Sequence, residues 1–220
     1  MKKTSPSGDR PRGRPREFDR DEALARALEV FWQHGYEGTS IASLTGAMGI
    51  TAPSLYTAFH SKEALFQEAV AHYQAEYGAW ANLVLEGPRI HEALAQVLQG
   101  AARHFTARAH PAGCMVSTSV LACSEENRSV AEHVAQLRTK SLGLFQARFE
   151  RAIAEGELPP TADAAALARF YGAIIQGMSV QARDGASEQE LLGIVALALA
   201  HLQVSGSSNV ATAPRSGPSL

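Results

Sequence analysis

The chain has 220 residues, of which 45% are apolar and 19% charged, and its formal net charge is −2. That mixture fits one or two globular domains with a sizeable core, and it excludes a wholly disordered chain or a polycation. No apolar run reaches the length of a membrane span, Met1-Lys2-Lys3 leads into Pro, Ser and Gly without an apolar stretch, and the two cysteines are too few for a disulfide framework. The expectation is therefore a reduced, cytoplasmic protein without membrane contact.

The charge is unevenly placed. Residues 1–16 carry Lys2, Lys3, Arg10, Arg12, Arg14 and Arg16 against Asp9 alone, a net of +5. Pro6, Gly8, Pro11, Gly13 and Pro15 deny the segment a helix, so it reads as a basic, flexible arm. From Phe18 to His34 the apolar residues Ala23, Leu24, Ala27, Leu28, Phe31 and Trp32 follow the three-and-four spacing of an amphipathic helix that Gly35 ends. Short helices are predicted around Ser40–Met48 and Ala52–Phe59. Ser61 caps a long helix through Leu85. Further helices are predicted over Arg89–Ala109, Glu126–Ala154, Asp163–Arg183 and Ser187–Gln203, with a short apolar segment near Cys114–Cys123. Ser187 and Glu190 fit a capping box. Residues 205–220, rich in Ser, Gly, Pro and Ala, read as a disordered tail. No run alternates as a strand, so the fold class is all-α.

The informative stretch is Thr39–Lys62. Gly49-Ile50, between two short helical patterns, predicts the tight turn of a helix-turn-helix. Thr51 caps the second helix and Pro53 falls in its first turn, where a missing N–H does no harm. Leu44, Met48, Leu55 and Phe59 face inward and lock the pair. Thr51, Ala52, Ser54 and Thr57 are left outward, and small polar groups there suit contacts in a major groove.

These residues resemble the TetR family of bacterial transcriptional regulators. The likeness is carried by Gly35-Tyr36-Glu37-Gly38-Thr39, Leu44, Gly49-Ile50-Thr51, Ser54-Leu55-Tyr56, Phe59 and Ser61-Lys62-Glu63-Ala64-Leu65, and it covers about the first third of the chain. Thr45 stands where the family more often has alanine. The resemblance implies a three-helix DNA-binding domain, here residues 17–65 with the motif at about 41–60, and a helical effector-binding and dimerisation domain over 66–204. It implies that Thr39, Tyr56 and Lys62 hold phosphates while Thr51 to Tyr56 face the groove, with Thr57 and His60 alongside. Residues 17–65 are themselves net −4, so attraction to phosphate is expected mainly from the arm and from helix N-termini. Within the arm, Pro11-Arg12-Gly13-Arg14-Pro15-Arg16 resembles an AT-hook core, which places Arg12 and Arg14 in a narrow minor groove.

The other two thirds are less specific. By the same resemblance the last two helices pack against a partner subunit in a homodimer, through Phe170, Ile174, Met178, Leu191, Val195, Ala198 and Leu202. Expected effector contacts are Trp80, Phe105, Met115, Val116, Ser119, Val120, Phe145, Phe149, Tyr171 and Ile175. Few charges interrupt these faces, which points to an apolar or aromatic small molecule. Gly113-Cys114-Met115 resembles a branch of the family in which a cysteine senses electrophiles or oxidants. If residues 113–123 form a helix, Cys114 and Cys123 stand about 13.5 Å apart along its axis, beyond disulfide reach. No His-x-x-x-His, Cys-x-x-Cys, phosphate-binding glycine loop or Gly-x-Ser-x-Gly elbow is present, so neither a metal, a cofactor nor an enzyme is expected. The chain reads as a repressor that a small-molecule effector releases from double-stranded operator DNA. The alternatives are an electrophile- or redox-sensing repressor acting through Cys114 and, in another class, a helical ligand-binding protein or enzyme without DNA binding.

Overall fold

Asp19 sets the first helix. Its carboxylate accepts from the backbone N–H groups of Asp21 and Glu22 at the start of α1 (Arg20–His34), filling the role that free amides of a first turn require. The computed structural model describes residues 18–207, except for the side chains at 80, 82, 83 and 203–207. The arm with Arg12 and Arg14 therefore lies outside the described residues, as does the chain from 208 onward. Gly35 ends α1 with φ 72°, and a Cβ there would stand 2.8 Å from the carbonyl oxygen of Ser119. The Tyr36 N–H donates to that same carbonyl. The end of α1 is thus pressed against a loop some eighty residues on.

Next come α2 (Ile41–Met48), α3 (Ala52–Phe59) and α4 (Lys62–Tyr73). The long helix expected to run to Leu85 is helical throughout but not uniform. A π segment, Gln74–Gly78, separates α4 from α5 (Ala79–Leu85). Tyr73 and Tyr77, on either side of the change, both contact Trp32, at ring-centroid distances of 4.8 and 5.5 Å. Such widened turns recur where helices meet ligands. Then follow α6 (Ile90–Thr106), α7 (Met115–Thr118), a 3₁₀ turn (Glu125–Asn127), α8 (Arg128–Ala154), α9 (Ala164–Arg183) and α10 (Glu188–Ser207). The capping box that opens α10 is present, with the Ser187 N–H and hydroxyl both donating to Glu190. That helix continues three residues into the segment expected to be tail. No strand occurs among the described residues, in keeping with an all-α class. None of the described helices is long and apolar enough to cross a membrane.

Two apolar cores organise the chain. The first joins α1, α2 and α3 to Leu65, Phe66, Ala69, Val70 and Tyr73 of α4, and to Met115, Val116, Val120, Val130 and Val134. Packing of the first unit therefore extends well past residue 65. The second is built from α5, α6, the latter half of α8, α9 and α10. Cys114 packs against both.

The second core corrects the expected dimer stripe. Met178, Leu191, Val195, Ala198 and Leu202 are each at most 3% exposed within one chain. They hold α9 and α10 to their own neighbours and have no surface left for a partner. Phe170 is 42% exposed and Ile174 half-buried, and the outward apolar groups beside them are Val180 and Leu197, at 42% and 77%. The Cys114–Cys123 segment is likewise not one helix, since only Met115–Thr118 is helical, so the axial separation expected for the two thiols does not apply. Both cysteines are free.

Candidate functional site

The turn between α2 and α3 is built from local signals. Ser40 and Ser43 cap α2 reciprocally, each bonding the other's backbone N–H. Gly49 closes that helix in the left-handed region, φ 68° and ψ 28°, where a side chain would be strained. Thr51 accepts from the Ser54 N–H at the start of α3, with Pro53 in the first turn. Leu44, Met48, Leu55 and Phe59 are buried and clamp the two helices together. Thr45, the departure from the usual alanine, turns its hydroxyl back onto the Ile41 carbonyl and leaves the crossing undisturbed.

This clamp decides what the outer face offers. Thr51, Tyr56, Thr57 and His60 are exposed, and Ala52 and Ser54 are half-buried. The Thr51 and Ser54 hydroxyls lie 2.9 Å apart, and Thr57 donates to the Pro53 carbonyl, leaving its oxygen free to accept. Tyr56 is 47% exposed, an aromatic that no core requires. His60 holds φ 67°, a conformation rare for a residue with a Cβ, at the junction of α3 and α4. The Lys62 ammonium stands 4.2 Å from the centre of the Tyr36 ring, which fixes a flexible cation at the start of α4. Partial burial pulls its pKa down, opposed by the nearby Glu37 carboxylate.

Thr39 requires a correction. It is 1% exposed and its hydroxyl donates to the Gly35 carbonyl at 2.6 Å. Its single proton is committed inside the fold, so the side chain has no donor left for a phosphate. The other cations of this unit are also engaged. Arg20 pairs with Glu68 and lies over Phe59, and Arg26 pairs with Glu22. Lys62 is the cation of this unit not drawn into such a pair among the described residues.

A cavity of about 240 Å³ lies between the two cores. Four expected contacts, Phe105, Val116, Phe145 and Ile175, line it, and so does Cys114. Met115, Ser119, Val120, Phe149 and Tyr171 do not. Met115 and Val120 are buried in the first core, and Phe149 stacks on Tyr171, whose hydroxyl donates to the Ala198 carbonyl. Ser119 gives its carbonyl to Tyr36. The Trp80 side chain lies outside the described residues. Among the lining residues that periodicity did not single out are Tyr73, Tyr77, His104, Arg138 and Lys140. Their signal in sequence was only that aromatic and polar groups recur along α4 and the π segment, α6 and α8.

The cavity wall is tied to α1. Trp32 packs against Tyr73, Tyr77, His104 and His110, and its indole N–H donates to the Gly113 carbonyl at 3.2 Å. The adjacent Cys114 N–H donates to the Ser179 hydroxyl of α9 at 2.7 Å. The Tyr73 hydroxyl lies 3.4 Å from His104 Nε2. Burial first, and the neighbouring Cys114 second, push the Tyr73 phenol well above its ordinary value. Burial, then His110, lowers His104 to about 4, so the imidazole is neutral at physiological pH.

Comparison with known proteins places this architecture. The family profile of bacterial regulatory proteins, tetR family, matches residues 23–69, and that of the tetracyclin repressor-like C-terminal domain matches residues 89–195. The HTH-type transcriptional repressor ComR of Escherichia coli is 40% identical over 195 residues, spanning 86% of this chain and 90% of that protein. The HTH-type transcriptional repressor BdcR of the same organism is 30% identical over 84% of this chain and 90% of its own length. Among solved structures, a cysteine-substituted mutant of the regulator CifR, complexed with 26-base-pair double-strand operator DNA, superposes with a TM-score of 0.82 at 44% identity. That match covers 86% of this chain and 98% of the other.

Proposed function

This chain belongs to the TetR family of bacterial transcriptional regulators, and on that premise we propose that it works in the cytoplasm as a homodimer whose two reading heads grip one operator and release it when a small molecule fills the cavity. It is a DNA-binding transcriptional repressor, not an enzyme. One observation carries the groove-reading assignment. The polar start of α3 is turned outward by a clamp of four buried side chains, with Tyr56 exposed beside it and Lys62 held at the next helix start. Thr51, Ala52 and Ser54 then face base edges, while Tyr56, Thr57, His60 and Lys62 lie along the backbone. The arm supplies Arg12 and Arg14 to the flanking minor groove, because Arg20 and Arg26 are already paired with carboxylates.

Release follows from shared parts. Tyr73 is both the far end of α4 and a wall of the cavity. A ligand that displaces it tilts α4, and the reading heads lose the operator spacing. Selection from a random DNA pool followed by footprinting tests the whole scheme. The expected product is a near-palindrome with half-sites roughly 34–36 Å apart, or a multiple of that. One chain bound to a single asymmetric site would overturn it.

A second reading is favoured by Cys114, which lines the cavity, whereas Cys123 does not. In it a mild electrophile alkylates Cys114 and releases the operator. Cys114→Ser then abolishes release by an enone while Cys123→Ser leaves it intact. An unchanged response in the double variant would leave both thiols as packing residues.

A further inference from the structure

The cavity differs from an apolar slot in one respect. Among the described residues no aspartate or glutamate lines it, whereas Arg138 and Lys140 both do. Arg138 is half-buried, and its Nη1 donates to the Val116 carbonyl at 3.1 Å. That bond fixes the guanidinium at the wall and occupies one of five N–H donors. Among the described residues no carboxylate pairs with it. A partly desolvated cation without a counter-charge is costly, and an arriving anion removes the cost. The guanidinium fork also matches a carboxylate in two parallel bonds. The same cavity is lined by the rings of Tyr77, Phe105 and Phe145 and by the neutral imidazole of His104, with Phe145 two turns along α8 from Arg138. The volume of about 240 Å³ is close to the lower end of small-molecule pockets, roughly 300 Å³.

We propose that this cavity selects a small aromatic anion, with the ring against Tyr77 and Phe105 and its carboxylate on Arg138. A cationic ligand is disfavoured by the same two charges. A neutral apolar ligand leaves the guanidinium uncompensated. The consequence at the operator rests on the effector reading above, but the binding itself does not.

The test is calorimetric titration of the full-length protein, free of DNA, with benzoate and phenylacetate and with the matching neutral amides. The carboxylates are expected to bind at least tenfold more tightly than the amides. Arg138→Met should erase that difference, whereas Arg138→Lys should keep part of it and Lys140→Met most of it. Equal affinities for acid and amide in the wild type, no heat from either pair up to millimolar concentrations, or a preference that survives Arg138→Met would each overturn the proposal. The wild-type comparison stands even if a variant folds poorly. A gel shift in the presence of phenylacetate separates the two questions. Binding that leaves the operator complex intact supports the anion site and refutes release through it.

Discussion

Arg183, the last residue of α9, donates from Nη1 to the carbonyl oxygen of Trp32 and from Nη2 to that of Gln33, both at 2.9 Å. These are carbonyls of the final turn of α1, where a cation is favoured by the helix dipole. Some 150 residues separate the partners in sequence, so the second unit grips the first helix of the reading unit directly. For the release proposed above, this contact is a second candidate route besides α4, since the Trp32 ring is itself packed on cavity-wall residues. Arg183→Met is expected to cost about 2 kcal/mol in urea unfolding, the scale for losing hydrogen bonds from a charged donor. If the grip transmits the signal, the factor by which ligand weakens operator binding should also fall at least threefold. The same factor must appear when operator weakens ligand. An intact coupling factor in a destabilised variant would assign Arg183 to stability alone.

The arm is expected to dominate the electrostatics of binding. Residues 17–65 are net acidic, and Arg20 and Arg26 are paired. Each phosphate contact changes the salt slope by about 0.9. The double variant Arg12→Ala/Arg14→Ala should flatten the slope of log affinity against log salt by roughly one to two units. The loss should be greatest for operators with A·T-rich flanks, whose minor groove is narrow. Identical slopes for variant and wild type would make the arm a bystander.

The proposed homodimer, with Met178, Leu191, Val195, Ala198 and Leu202 buried within one chain, predicts a different hot spot from the one periodicity suggested. Leu197 is 77% exposed on α10 and Phe170 42% exposed on α9. Leu197→Arg should convert the dimer to monomer in sedimentation at micromolar concentration, with little change in helical content, because the residue contributes nothing to the chain's own core. Leu191→Ala, by contrast, empties a fully buried site. It should unfold the protein more easily by about 2–5 kcal/mol. Dimers that survive Leu197→Arg and Phe170→Asp together would move the interface elsewhere.

His104 gives a pH dependence with a defined sign. Its folded pKa is lowered to about 4 from an ordinary 6.5, chiefly by burial. The unfolded chain therefore binds a proton more readily, and the stability due to neutral His104 is complete above about pH 6.5. It is lost progressively as pH falls from there through 4. His104→Phe should remove this component. Stability measured against pH should then fall less steeply for the variant than for wild type between pH 6.5 and 4. Parallel curves would mean that His104 titrates normally.

The turn of the helix-turn-helix was legible because every determinant is local. Gly49 needs only its own backbone, Thr51 caps an amide three residues away, and Leu44, Met48, Leu55 and Phe59 meet across one short turn. Thr39 shows where local likeness stops, because its hydroxyl is claimed by Gly35 one helical turn back. The same limit governed the C-terminal helices. The pattern over Met178, Leu191, Val195, Ala198 and Leu202 correctly marks an apolar face. An apolar face is chemically the same whether it covers the chain's own α6 or a second subunit. Only the packing of α10 assigns it to the interior and leaves Leu197 outside.

The cavity divides in the same way. Phe105, Val116, Phe145 and Ile175 could be named from composition and helical register, since large apolar groups on inward faces must meet something. That Tyr73, Arg138 and Cys114 converge on them depends on how far each helix is rotated and on the π segment at Gln74–Gly78. Sequence by itself determined the helices, their caps and the reading motif, all of which are settled by interactions within a few residues. Tertiary structure alone decided which apolar face is core and that Arg138, at the cavity wall, meets no carboxylate among the described residues. Those outcomes depend on contacts between residues tens to more than a hundred positions apart, and helical periodicity specifies a face but not its neighbour.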